Sequence, residues 1–198
     1  MKLFYTKASP YAACVRAVIA ELKADNHIEL VESHPFDNDE SFIQANPLGK
    51  VPCLIADGEA ILDSEVICDY LDANYSGGQL FEMVYADWRL KTFYSIVNGL
   101  MDACVALQME SLRDKDGLKS EFWYQRNLSA IDRSLKEIEK RLITLPEIFT
   151  IIHIDIVCAL GYMDFRHSTI DWRKDHKALA DFYNQWKDRD CFLGSVYS

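Results

Sequence analysis

Hydrophobic and polar positions follow two textures along this chain, and the texture changes at Ser76-Gly77-Gly78. Before that point, short apolar runs of strand length are separated by helical ones. Lys2–Tyr5 predicts a strand, residues 10–22 a helix and 28–32 a second strand. Cys53–Ala56 and residues 60–63 flank Asp57-Gly58, a dipeptide that tolerates positive φ and marks a tight hairpin. A helix with Val66, Ile67, Tyr70 and Leu71 on one face follows. The order β-α-β, hairpin, helix predicts a small α/β sheet whose last pair is antiparallel.

After the break the pattern is helical throughout. A long helix is predicted over 84–113. Leu128, Ile131, Leu135, Ile138 and Leu142 recur at spacings of three and four, but for about two heptads only, short of the three or four that a coiled coil needs. A bundle helix is the expectation. Residues 151–160 are apolar almost all round, as in the central helix of a bundle, and Thr150 with His153 forms an N-cap pair opening it. Asp155 falls inside that apolar segment, and its partner cannot be named from the sequence. The expected organisation is an α/β domain at 1–78 and an all-helical domain at 84–198, with no internal repeat or low-complexity tract.

Composition narrows the function classes. The 198 residues carry 49% hydrophobic and 26% charged side chains, an ordinary globular balance. A net charge of −10 argues against a nucleic-acid or anionic-membrane partner, either of which needs clustered Lys and Arg. No apolar run approaches the roughly 18 residues of a membrane span. The small residues before Cys14 resemble a lipoprotein signal only superficially, because Lys7 interrupts a stretch already too short. A cytoplasmic location is expected. The cysteines at 14, 53, 68, 104, 158 and 191 show no C-x-x-C and no paired His/Cys spacing, which predicts buried packing and no metal site.

Several residues carry candidate chemistry. Pro52 stands at the entrance of a predicted strand although it cannot donate to a ladder, so a first position, an edge or a special turn is required. Ser9-Pro10 matches a helix start, serine as N-cap and proline at the first helical position. Asp63-Ser64 lies where a strand hands over to a helix and, taken alone, suggests capping. Cys14 lies in the second turn after Ser9, where the influence of the helix end on a thiol has largely faded. Tyr5 closes the first strand.

YTKASPYAACVR (5–16), NPLGKVPCLI (46–55), ILDSEVICDYL (61–71) and CALGYMDFR (158–166) together resemble the cytosolic glutathione transferases, nearly end to end, with most likeness to bacterial members of the serine-containing type. The resemblance implies a thioredoxin-like N-terminal domain, a helical-bundle C-terminal domain, a homodimer, glutathione as co-substrate and a detoxifying conjugation to a small electrophile. It implies a cis Val51–Pro52 bond, which leaves the N–H and C=O of Val51 to pair with the tripeptide as a strand would. Asp63 and Ser64 would recognise the γ-glutamyl end, with the helix N-terminus taking the carboxylate. Lys50 would sit near the glycyl end. Ser9 would donate its hydroxyl to the glutathione sulfur, at some expense of its capping bond, with Tyr5 as the rival activator. Tyr11 would border the same site and, with Met101 on the 84–113 helix, complete an electrophile pocket.

The cysteine-type members carry cysteine at or beside position 9, where this chain has Ser9 and Pro10. That departure weakens a mixed-disulfide reductase reading. The alternatives are a glutathione-dependent reductase, peroxidase or isomerase, and a non-catalytic glutathione-binding or partner-binding protein on the same fold. For Pro52, a purely structural turn opening an edge strand is the other explanation.

Overall fold

The computed structural model describes residues 1–37, 39–194 and 197. The chain forms two units. The first comprises Met1–Met83 together with the described residues from Asp188 onward, and the second is Val84–Lys187. The chain end therefore groups with the α/β part, whereas the sequence division placed it in the helical one.

The first unit is a four-stranded sheet in the order β2-β1-β3-β4, with β1 at Lys2–Tyr5, β2 at Glu29–Glu32, β3 at Cys53–Ala56 and β4 at Glu59–Leu62. β1 and β2 are parallel, while β1/β3 and β3/β4 are antiparallel. Helix α1 (Pro10–Glu21) makes the crossover between the parallel strands, and α3 (Ser64–Tyr75) packs beside it. Side chains alternate across the sheet. Phe4 packs with Phe42 of α2 (Glu40–Ala45) and Cys53, their rings 5.7 Å apart for the two phenylalanines. Tyr5 points the other way and lies under the Arg16 guanidinium of α1.

Two details differ from the sequence expectation. Helix α2 was not expected, because six residues give too little periodicity; Asp39 caps it by accepting the Phe42 N–H at 3.1 Å. Strand β4 starts at Glu59 and stops before Asp63, which is the N-cap of α3. At the Ser76-Gly77-Gly78 break one carboxylate holds the chain. Asp72, fully buried, accepts the N–H groups of Leu80 and Phe81 at 2.9 and 3.0 Å and the Ser76 hydroxyl.

In the second unit the expected 84–113 helix is interrupted at Asp87, whose carboxylate caps a new start by accepting Arg89 N–H at 2.8 Å. The segment is thus α4 (Glu82–Ala86) and α5 (Trp88–Arg113). Helix α6 (Glu121–Arg141) packs mainly on α5 through buried Ile131, Leu135 and Ile138, as a bundle helix does. Helix α7 (Ile151–Arg166) is buried from Ile151 to Met163, Asp155 included. It opens with a capping box in which Thr150 N–H donates to His153 Nδ1 at 3.2 Å. Two short helices follow, α8 (Trp172–Asp175) and α9 (Lys177–Trp186). Asp164 holds α8 against α7 by accepting from Arg173 at 2.5 and 2.6 Å and from the Trp172 indole at 2.9 Å.

His167, just after α7, is buried with Nε2 2.9 Å from the carbonyl of Cys104 on α5. Burial pushes its pKa below the ordinary 6.5, and the nearby Arg166 charge acts in the same direction. The unfolded chain therefore takes up a proton that the folded one resists, so stability is complete above about pH 6.5 and declines as pH falls below it. The thermal midpoint is expected to fall more steeply between about pH 6.5 and 5 in the wild type than in His167→Gln. Equal slopes would exclude this histidine as the cause.

Candidate functional site

The strand register brings four segments to one end of the sheet. Tyr5 lies opposite Glu32, Phe4 opposite Cys53 and Cys53 opposite Leu62. The chain leaving β1 toward Ser9, Ser33 leaving β2, Pro52 entering β3 and Asp63 leaving β4 therefore share an edge. In an open α/β sheet that is the end where ligands bind.

The Val51–Pro52 peptide is cis. Strand β3 lies between β1 and β4, so Pro52 does not open an edge strand; it sits in a special turn ahead of an interior one. Asn46 builds that turn. Its buried amide donates to the Lys50 carbonyl at 2.6 Å, its side-chain oxygen accepts Leu48 N–H at 2.9 Å, and its carbonyl accepts Gly49 N–H at 3.0 Å. Gly49 takes φ of +60°, where a side chain is strained. Among the described residues the N–H and C=O of Val51 have no partner, so they remain open to an extended peptide. The sequence signal for this turn is an asparagine three residues before a glycine in a Pro-rich stretch.

Ser9 is buried and caps α1, its Oγ accepting Ala12 N–H at 3.2 Å. A hydroxyl has one proton and two lone pairs, so accepting here leaves the proton free to donate. The expected competition between capping and donation does not arise. Among the described residues no acceptor takes that proton. The first turn of α1 has no acidic side chain to offset its positive end. Tyr11 stands in that turn, half-buried. Tyr5 is buried with the Arg16 guanidinium 5.1 Å from its ring centre.

Asp63 is the N-cap of α3, its Oδ1 accepting Glu65 N–H at 2.9 Å, and it is exposed. Its φ is +74°. A non-glycine residue held there costs on the order of 1–3 kcal/mol, and such strain concentrates at ligand sites. Ser64 opens the helix, and its hydroxyl has no partner among the described residues. Lys50 is exposed without an acidic partner among them.

Ser9, Tyr11, Lys50, Val51, Pro52, Asp63 and Ser64 thus all belong to the first unit. Met101 is on α5 in the second and is 1% exposed, so its side chain is packed away from solvent there. Ser33 Oγ, which sequence reasoning passed over, is buried at the ligand end of the sheet with no hydrogen-bond partner among the described residues. Cys14 is buried in α1 and Cys53 in β3, where burial pushes the Cys53 thiol pKa up. Neither is an exposed nucleophile. Among the described residues no group of three His, Cys, Asp or Glu is placed to hold a metal, and no helix is long and apolar enough to cross a membrane.

A cis-proline turn and two helix N-termini at one end of a β2-β1-β3-β4 sheet, with a helical domain following, define a thioredoxin-like domain joined to a helical one. Residues 3–79 match the N-terminal domain model of glutathione S-transferase, and 121–185 match its C-terminal domain model. The chain belongs to the glutathione S-transferase family. It is 34% identical to a glutathione transferase family member from Pseudomonas fluorescens Pf-5 solved with bound glutathione, covering 100% of this chain and 98% of that one at a TM-score of 0.89. A second structure from that bacterium under the same description, also 34% identical, holds S-(propanoic acid)-glutathione, with a TM-score of 0.87 and full coverage of both chains. A glutathione S-transferase from Methylobacillus flagellatus KT with glutathione bound is 30% identical, over 100% and 99% of the two chains, at a TM-score of 0.89. The Escherichia coli K12 protein YibF, described as an uncharacterized GST-like protein, is 29% identical over 97% of this chain and 96% of its own.

Proposed function

We propose that this protein binds glutathione at the shared sheet end and transfers its thiolate to a small, partly apolar electrophile. The observation that carries the reading is that the sheet end holds both a backbone pair open at Val51 and a Ser9 hydroxyl whose proton, among the described residues, has no acceptor. Val51 would pair with the cysteinyl residue of glutathione in strand fashion. Ser64 and the α3 N-terminus would receive the γ-glutamyl carboxylate, Asp63 the ammonium, and Lys50 the glycyl end.

Ser9 would then donate to the sulfur and favour its ionised form, the thiol proton leaving to solvent. The sulfur lone pair forms the new C–S bond. With an aryl halide, halide departs with the electron pair of the broken bond; with an activated alkene, the pair moves to the neighbouring carbon, which is then protonated. The propanoic-acid thioether of glutathione held by the Pseudomonas fluorescens protein is a molecule of that product class.

The direct test is conjugation of 1-chloro-2,4-dinitrobenzene with purified protein, with and without glutathione. Glutathione-dependent turnover above the uncatalysed rate is expected. Tight glutathione binding with no turnover of this compound, of an enone or of a hydroperoxide would overturn the transferase reading in favour of a binding protein.

A homodimer is part of the proposal, with the 66–75 helix of one subunit against the first long helix of the other. Val66 and Trp88, exposed on α3 and at the start of α5, are large apolar side chains suited to a covered face. Sedimentation is expected to give twice the chain mass of 22.8 kDa. A single-chain mass at micromolar concentration excludes the dimer.

A further inference from the structure

The segment after α9 returns to the first unit and grips α1 at two places. Arg189 forks onto Glu21, Nε to Oε2 at 2.9 Å and Nη2 to Oε1 at 2.5 Å, across 168 positions of sequence. The following turn, Asp190–Phe192, packs against α1 with Cys191 and Phe192 buried. Five residues back along α1, Arg16 donates to the Gly194 carbonyl while its guanidinium covers the Tyr5 ring.

Glu21 is the last residue of α1, the negative end of the helix, and no basic residue shares that last turn. A carboxylate there is electrostatically misplaced by local rules. Arg189 resolves the conflict from the far end of the chain, and the fork holds the Glu21 carboxyl below its ordinary range. Cys191 and the nearby Lys23 add to it, but the largest compensation comes from a partner 168 positions away, and a residue that breaks a local rule in this way indicates a site whose position matters.

We propose that Arg189, with Glu21 and Arg16, forms a clasp that positions α1 and through it the Ser9 hydroxyl; this rests on the reading of Ser9 as the thiol donor. Helix α1 has 12 residues, about 18 Å at 1.5 Å per residue, and moves as a rod. The capping bond from Ala12 N–H ties Ser9 Oγ to its first turn. A shift of the clasped end therefore re-aims the hydroxyl relative to the sulfur. Misplacement of a reacting group by about 1 Å can cost on the order of a hundredfold in rate. Arg189 and Glu21 are positioning residues, since neither is placed on the sulfur.

The test uses the full chain with glutathione bound, following thiolate ultraviolet absorbance against pH together with kcat and KM. Arg189→Met is expected to raise the apparent thiol pKa by about half a unit and to lower kcat roughly three- to tenfold, with KM for glutathione changed by less than about twofold. The charge-reversed pair Glu21→Arg with Arg189→Glu is expected to recover most of both losses. In a Ser9→Ala background Arg189→Met should add almost nothing, because both act through one hydroxyl. Should Arg189→Met fail to fold, Arg189→Lys keeps the charge, loses the fork and is expected to show the same shift at smaller size.

A fall in thermal midpoint with thiol pKa and kcat unchanged, or full additivity with Ser9→Ala, overturns the clasp while leaving Ser9 in its role. A titration that Ser9→Ala itself does not move overturns the reading underneath, and the clasp with it.

Discussion

Replacing Asp63 and Ser64 together by alanine is expected to weaken glutathione binding about tenfold or more, consistent with roughly 1.5–3 kcal/mol for hydrogen bonds to charged groups. The two residues open α3 at the sheet end shared with Val51, and the Ser64 hydroxyl has no partner among the described residues. The double variant also removes a cap that holds Glu65 N–H, worth about 0.5–2 kcal/mol of stability. Asp63→Asn separates the two effects. It keeps a capping oxygen and removes the charge that would face the ammonium, so it should lower affinity with little change in thermal midpoint. Calorimetric titration of the folded variants with glutathione decides the matter. Wild-type affinity in the double variant would remove the γ-glutamyl site from α3.

Ser9→Ala is expected to raise the apparent pKa of bound glutathione by about a unit or more, at about 1.4 kcal/mol per unit, and to reduce the conjugation rate more than the affinity. The ceiling on the rate effect is modest. A free thiol of pKa about 8.5 is already a few per cent thiolate at pH 7, so full ionisation gains on the order of thirtyfold. Part of that is returned because nucleophilicity falls with pKa, with a slope of about 0.4–0.5. Positioning the electrophile can contribute more. Tyr5→Phe should move the titration less, since the Tyr5 ring is buried under Arg16, and Cys14→Ser should leave conjugation almost intact. If Tyr5→Phe shifts the thiolate titration and Ser9→Ala does not, the donor is Tyr5. If Cys14→Ser abolishes a reductase activity of the wild type, the transferase reading falls.

What the sequence determined by itself is whatever acts over three or four residues. Ser9-Pro10 starts a helix because both side chains suit a helix entrance. Asp57-Gly58 turns a hairpin because both residues take positive φ, +51° and +86°. Thr150 and His153, three residues apart, close a capping box over the first turn. The apolar run after Thr150 is buried all round because no polar face exists to meet water. NPLGKVP was specific enough to imply the cis bond at Pro52 and the family. The weakest local signals were the ones lost: six-residue α2, and Asp87, which splits the long helix by capping a second start.

Tertiary structure decided everything that depends on strand register and on partners far apart in sequence. Ser9, Val51 and Asp63 converge only because β1, β3 and β4 pair with Phe4, Cys53 and Leu62 in one row, a register set by which face of each strand is buried. The interior place of β3 makes Pro52 a turn residue and not an edge residue. Asp72 finds its backbone donors at Leu80 and Phe81, Asp164 finds Arg173, and Glu21 finds Arg189 across nearly the whole chain. No periodicity announces such pairs, because a carboxylate needing a partner and one facing water have the same sequence until folding removes the water.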